Sequence, residues 1–264
     1  MAHIKKQTPL ISIITPAYNA ERFIRETIES VLAQTYSNWE MVIVDDCSTD
    51  KTVEYVKAYQ QQDDRINLIV LEENQGSAVA RNTAMEHAKG RYIAFLDSDD
   101  LWYPEKLEKQ LRFMQEKDVG FSFTQYIRMQ EDGTLKNAVS RAPKAVGYED
   151  LLRHCVIGCL TVMLDREKVG YLKMVDIRTR QDYVYWLALT KRGHLAYGIP
   201  EILAKYRTVD DSISSNKIKA ARRQWYVYRK IEKQNLFKSI WYFLHYATRG
   251  IRNLMKYKIS PQKE

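Results

Sequence analysis

The 264-residue sequence contains no run of 18 apolar residues, so no segment is built to cross a bilayer as a helix. Cysteine is scarce. Cys47, Cys155 and Cys159 are too few for a disulfide scaffold, and Cys155 and Cys159 miss the CxxC spacing, so all three read as reduced thiols in a cytosolic chain. No histidine has ligand spacing to another histidine or to a cysteine, which removes the usual zinc patterns. Neither GxGxxG nor GxxxxGK[ST] occurs, so a dinucleotide fingerprint and a P-loop are both disfavoured. Internal repeats and low-complexity linkers are absent too. The lysines and apolar residues near the N-terminus superficially suggest a signal peptide. Their apolar part, Leu10 to Ile14, ends at Thr15 and Pro16, short of an h-region.

What is present is an ordinary globular composition, 45% hydrophobic and 28% charged, in a chain long enough to bury a large core. The net charge of +8 is uneven. Residues 216–264 hold 13 Lys/Arg against two acidic residues, and the rest of the chain carries a net −3. A uniformly basic nucleic-acid binder is thereby disfavoured, and a tail lying against something anionic is favoured.

Short β-rich runs alternate with helical patterns through the first half. Strands are expected at 10–15 (LISIIT), 39–44 (WEMVIV), 66–71 (INLIVL) and 92–96 (YIAFL). Helices are expected at 21–33 with Asn19 as cap, at 50–61 with Val53 and Val56 inward, and at 76–89 closed by Gly90. A further one opens at Pro104. This alternation predicts βαβ units and a mostly parallel sheet covered on both faces, an α/β fold. The second half predicts strands at 120–129, 160–164, 196–199 and 202–206, with helices at 148–154 and 182–191. The composition break falls near 212–216.

Ligands of such sheets bind beyond the carboxyl ends of the strands. Polar residues stand at three of those ends: 15–19, Asp45-Asp46, and Asp97-Ser98-Asp99-Asp100. Three carboxylates within four residues do not all stay ionised cheaply without a cation. A hard ion, Mg²⁺ or Mn²⁺, would relieve the repulsion, with one or two carboxylates, two diphosphate oxygens and water filling an octahedral shell. An acidic turn capping the next helix is the alternative. Asp45-Asp46 likewise either turns the chain or accepts hydrogen bonds from a base or ribose.

The stretches SIITPAYNAERFIRETIESVLAQTYSNWEMVIVDDCSTDKT and NQGSAVARNTAMEHAKGRYIAFLDSDDLW together resemble the donor-binding half of the family-2 inverting glycosyltransferases. The likeness is close over 10–104 and looser to about 212. It implies the GT-A fold over 1–215, with a nucleotide-sugar half at 1–104 and an acceptor half at 105–215; the charge count and apolar spacing add a basic amphipathic helical tail at 216–264. It also implies transfer of one sugar from a UDP-sugar with Mn²⁺ or Mg²⁺. By position, Pro16, Ala17 and Tyr18 would line the base pocket, and Asp46 would hold the uracil with Asp45 as alternate. Asp97, Ser98 and Asp99 match the DXD motif. Asp99 would be the metal ligand, Asp97 would contact ribose or metal-bound water, and Asp100 would be able to replace either. Arg81 would face the diphosphate, unless it forms a structural ion pair. The catalytic base of the family is an Asp at a helix start, often in a Glu-Asp pair, and here it would be Asp182, preceded by Gln181.

Bacterial relatives of this size extend a sugar on undecaprenyl diphosphate during O-antigen, capsule or related polysaccharide assembly. That acceptor fits a protein peripheral to the cytoplasmic membrane face, with an anionic lipid surface as partner. Ile240, Phe243, Leu244, Ala247, Ile251, Leu254 and Met255 make an apolar stripe in the tail, His245, Arg249, Arg252 and Lys256 a basic one, with Trp241, Tyr242, Tyr246 and Tyr257 at the border. Arg222-Arg223-Gln224-Trp225 only echoes the QxxRW of processive relatives, so one sugar per encounter is expected. Two rivals remain. A nucleotidyltransferase would need a basic phosphate-binding loop after the first strand, where PAYNAE has none. A catalytically silent nucleotide-sugar scaffold would have little use for Asp97, Asp99 and Asp182.

Overall fold

The structure, a computed structural model, describes residues 8–208 and 217–259. The composition break at 212–216 and the side chains from 249 onward lie outside that description. In the first half the order is β1 (Ile11–Ala17), α1 (Ile24–Leu32), β2 (Trp39–Asp45), α2 (Thr52–Gln60), β3 (Ile66–Val70), α3 (Ser77–His87), β4 (Tyr92–Phe95), β5 (Leu101–Trp102) and α4 (Lys106–Glu116). The second half continues with β6 (Phe121–Met129), β7 (Leu135–Ser140), β8 (Ala145–Val146), α5 (Tyr148–Arg153), β9 (Met163–Asp165), α6 (Arg166–Val169), α7 (Gln181–Lys191) and β10 (Ala196–Arg207). After the gap come α8 (Lys217–Tyr226), a π-helical turn (Val227–Ile231) and α9 (Leu236–Ile259).

The described strands form one sheet in the order β3-β2-β1-β4-β9-β6-β10-β5, with β7 on β6 and β8 on β10. Strands β3, β2, β1 and β4 are parallel, as are β6 and β10. Strand β9 is antiparallel to both β4 and β6 and joins the two parallel groups. Every residue of β1 and β2 is buried, because alternate side chains feed two cores. Ile11, Ile13, Met41 and Ile43 pack with α1 and α4, while Ile14, Val42, Val44 and Phe95 pack with α3 and α7. Burial on both faces is why these strands read as continuous apolar runs. The strand order reverses between β1 and β4, so their carboxyl ends border the crevice of the fold.

Several local expectations are corrected. Asn19 does not cap α1. It has a left-handed backbone, φ 46°, and its side-chain oxygen accepts the Thr49 amide at 2.9 Å. Gly90 does not close α3, whose C-cap is the extended Ala88. A Cβ at Gly90 would lie 2.7 Å from Leu10 O and from Ser12 N, so glycine is required by the close approach to β1. Val53 is only half-buried, and Thr52 shares the inward face of α2 with Val56. The expected strand at 160–164 is a 3-10 turn, Cys159–Thr161, followed by β9. The two strands expected around Pro200 are the single β10, whose register against β6 shifts between Ile199 and Ala204. An exposed Pro is tolerated at such a bulge.

The tail is not a separate appendage. Val227, Tyr228 and Tyr242 belong to the core on the α7 side, and the Tyr228 hydroxyl donates to Leu152 O at 2.6 Å. The apolar stripe expected in α9 also divides. Phe243 is half-buried against Trp225, ring centroids 5.6 Å apart, while Ile240 and Leu244 are exposed. Gln224, from the QxxRW echo, is buried and accepts from Arg180.

One buried cation fixes the loop after β4. Arg207, at the end of β10, donates from its amide to Asp100 Oδ1 and from Nε to Asp99 O, each at 2.8 Å. Its other nitrogens reach Glu131 O at 2.7 Å and Glu26 Oε2 at 2.6 Å. Thr27 Oγ1 donates to the Ser98 and Asp100 carbonyls from the α1 side. Arg207→Met is therefore expected to cost about 3 kcal/mol, because buried carbonyls lose their donors. Thermal unfolding checks this, with Lys109→Met, at an exposed surface pair with Glu201, as a near-neutral control.

Candidate active site

Four segments meet at the carboxyl edge of the sheet: the end of β1, the loop after β2, the loop after β4 and the start of α7. At the end of β1, Pro16 and Ala17 are buried within the strand, opposite Val44 and Asp45, and Tyr18 emerges 51% exposed.

Asp45 and Asp46 have distinct structural tasks. Asp45 is fully enclosed and accepts both the amide and the hydroxyl of Ser48, so it holds the turn. As placed it offers no surface to a ligand, which corrects its expected alternate role at the base. Asp46 accepts the Gln75 and Gly76 amides, each at 2.8 Å, one per carboxylate oxygen. It thus fixes the loop that enters α3. Each oxygen retains a second acceptor position.

Asp97 and Asp99 are half-buried beyond β4, with Ser98 between them. Asp97 pairs with Arg81 Nη2 from α3. Asp99 is pushed up to about 6 by burial and then by the charge of Asp97, with Arg207 and Arg81 offsetting only part of that. Asp100 is 1% exposed and turned onto the Arg207 amide, and burial raises its pKa well above the usual carboxylate range. It belongs to the scaffold of the loop, which corrects the idea that it replaces Asp97 or Asp99.

Arg81 is 5% exposed. Burial works against its charge, but the carboxylates of Asp97 and then Asp182 more than offset this and keep the guanidinium protonated. The structure shows the ion pair: Nη2 serves Asp97, while Nε and Nη1 are buried with no hydrogen-bond partner.

The start of α7 depends on Arg180, which has a left-handed backbone, φ 66°. Its guanidinium donates to Gln224 Oε1 and, at 3.1 Å, to the Tyr246 hydroxyl. Gln181 is 8% exposed and donates from Nε2 to Ser77 Oγ at 2.6 Å, which joins α7 to the first residue of α3. Asp182 is half-buried. Burial raises its carboxyl, Arg81 draws it down, and Asp97 raises it again. These mutual influences bring Asp182, Arg81 and Asp97 into one electrostatic neighbourhood, from three segments far apart in sequence.

Thr15 Oγ1, two nitrogens of Arg81, Asp100 Oδ2 and Gln181 Oε1 are all buried without a partner. Buried polar atoms ordinarily find a partner, and of these the Arg81 nitrogens and Gln181 Oε1 belong to side chains already tied to the Asp97 loop and to α3. Among the described residues no group of three His, Cys, Asp or Glu side chains converges into a metal cage. The available donors are the hard carboxylate oxygens of Asp97 and Asp99, which fit Mg²⁺ or Mn²⁺ when a phosphate ligand completes the shell. Arg207, Arg180 and Ser77 were not legible as parts of the site, since no local motif marks them.

Residues 12–187 match Glycosyl transferase family 2. Over 244 residues the chain is 53% identical to the putative teichuronic acid biosynthesis glycosyltransferase TuaG of Bacillus subtilis (strain 168), covering 92% of this chain and 97% of that one. It is 41% identical over 244 residues to WfgD of Escherichia coli, a UDP-Glc:alpha-D-GlcNAc-diphosphoundecaprenol beta-1,3-glucosyltransferase, covering 92% and 94%. Among solved structures, Staphylococcus aureus TarS with UDP-GlcNAc superposes with TM-score 0.65 at 19% identity, covering 84% of this chain and 67% of that one. The mannosyltransferase PcManGT of Pyrobaculum calidifontis, with GDP-Man and Mn²⁺, gives TM-score 0.66 at 20% identity, covering 87% and 66%. At these identities the structural likeness concerns the fold alone, and that fold is GT-A. The sheet order, the carboxylate edge and the match across most of its sequence make this chain a member of glycosyl transferase family 2.

Proposed function

We propose that the protein transfers one sugar from a UDP-sugar to a saccharide carried on undecaprenyl diphosphate, with inversion, during bacterial surface polysaccharide assembly at the cytoplasmic membrane face. The observation that carries this reading is the Arg81–Asp97 ion pair beside the Gln181–Ser77 hydrogen bond, which sets the start of α7, and Asp182 with it, against α3. The UDP donor and the lipid-diphosphate acceptor are supported by the relative WfgD, whose activity uses both.

Pro16, Ala17 and Tyr18 border the nucleobase, with Asp46 bracing the loop behind it and adding its spare acceptor positions. Asp99, with Asp97, holds Mn²⁺ or Mg²⁺. Such an ion, when bound, neutralises charge on the departing diphosphate. Arg81 aligns Asp97 and adds its unpartnered nitrogens to the diphosphate. Asp182 accepts the proton of the acceptor hydroxyl as that oxygen attacks the anomeric carbon from the face opposite the diphosphate. One carboxylate is sufficient for this, and a neutral Gln181 beside it adds no competing charge.

Incubation with a panel of UDP- and GDP-sugars and a diphosphoundecaprenol-linked saccharide should release UDP from one UDP-sugar. Binding of UDP without release from any donor would favour the silent scaffold instead. Asp182→Asn should lower kcat by about 10²–10⁴-fold and leave UDP affinity unchanged. Because the Asp182 carboxyl is raised, it is protonated at higher pH than an ordinary Asp. The acid limb of kcat/KM should accordingly lie above about pH 4. A substantially active Asp182→Asn enzyme would remove the base assignment. Asp99→Ala should weaken Mn²⁺-dependent UDP binding in calorimetry, and unchanged affinity would contradict the metal role.

A further inference from the structure

Among the described side chains of α9, those at 236–248, one apolar group packs on the domain and another faces solvent. Ser239 and Tyr242 are buried, and Phe243 and Tyr246 half-buried, on the side toward the domain. There Tyr242 donates to Glu149, Phe243 packs on Trp225, and Tyr246 accepts from Arg180. The requirement for docking α9 on its own domain is thus met. On the opposite side Phe237 is 84% exposed, Trp241 and Leu244 56% each, and Ile240 43%. Their spacing of three, four and seven residues puts them on one stripe. Single exposed apolar residues are commonplace, but a contiguous stripe led by Phe and Trp marks an interaction surface.

The surrounding charge selects the partner. Lys230, Lys233, Lys238 and His245 are exposed in this region, and residues 216–264 carry 13 Lys/Arg against two acidic residues. A second copy of the chain would set two such basic segments against each other. An anionic lipid surface complements the charge and accepts the apolar stripe. No helix among the described residues is long and apolar enough to cross a membrane. The 24 residues of α9 extend about 36 Å, a length suited to lying along the interface.

We infer that the Phe237, Ile240, Trp241 and Leu244 face of α9 docks on an anionic bilayer, with the neighbouring lysines over the lipid headgroups. The Arg180–Tyr246 hydrogen bond, made from the inward side of the helix, ties α9 to the residue two positions before Asp182. In naming the surface on which a lipid-linked acceptor is met, the inference rests on the proposed function. Vesicle binding is measured without donor or acceptor, so either can fail alone.

The full chain should sediment with vesicles of phosphatidylcholine mixed with phosphatidylglycerol, less with phosphatidylcholine alone, and less at high salt. Combined Phe237→Ser, Trp241→Ser and Leu244→Ser substitutions should reduce partitioning at least about tenfold, since three apolar side chains no longer leave water. The melting temperature should hardly change, as these side chains are exposed. Tryptophan emission should shift to the blue on anionic vesicles, and the conservative Trp241→Phe should remove most of that shift. Absence of binding by the unaltered chain, undiminished partitioning of the triple variant, or an undiminished shift in Trp241→Phe would each overturn the inference. So would a vesicle-independent dimer that the triple substitution dissociates, which would give the face to a second copy.

Discussion

Crowded negative charge at the end of β4 is the constraint on which the remainder of the site depends. Asp97, Asp99 and Asp100 occupy four consecutive positions with Ser98, and Asp182 approaches from α7. Two buried guanidinium groups, 126 positions apart in the sequence, make this tolerable. Arg81 from α3 engages the Asp97 side chain, and Arg207 from β10 secures the Asp99 carbonyl while its amide takes Asp100. The compensation is incomplete for Asp99, which stays displaced upward by burial and by its neighbour. Crowded carboxylates with incomplete compensation are electrostatically costly, and a cation near them would relieve that cost.

The first half of the fold was legible because β1, β2 and β4 are buried on both faces and the helices between them on one. This produces short apolar runs alternating with a helical period. The acidic loop was legible for a related reason, since carboxylates at a strand end stand out against those runs. The division of labour within it was not. Asp97, Asp99 and Asp100 are the same residue type, and what separates them is the approach of Arg81 and Arg207, 16 and 107 residues away. Similarly, a Pro between two β-rich runs looks the same whether the strand ends or bulges. Only the pairing of β10 with β6 makes it a bulge.

The tail shows how composition and packing separate. Charge marks a boundary near 216 because solvent-facing residues dominate that count. The residues that attach this segment, Val227, Tyr228 and Tyr242, are few and hidden among the basic ones. In α9 the periodicity identified an amphipathic helix, yet aromatic residues fall on both its faces. Which face meets the domain is determined by Glu149, Trp225 and Arg180, all remote in sequence.

Gln181 opens α7 directly before Asp182. Its amide donates to Ser77 Oγ across the seam between the two halves of the sheet. An amide does not titrate, so this joint keeps the same donor and acceptor at every pH at which the protein is folded. Acidification would then alter the protonation of Asp182 without loosening the Gln181–Ser77 contact beside it, so chemical competence and mechanical alignment are governed by separate groups.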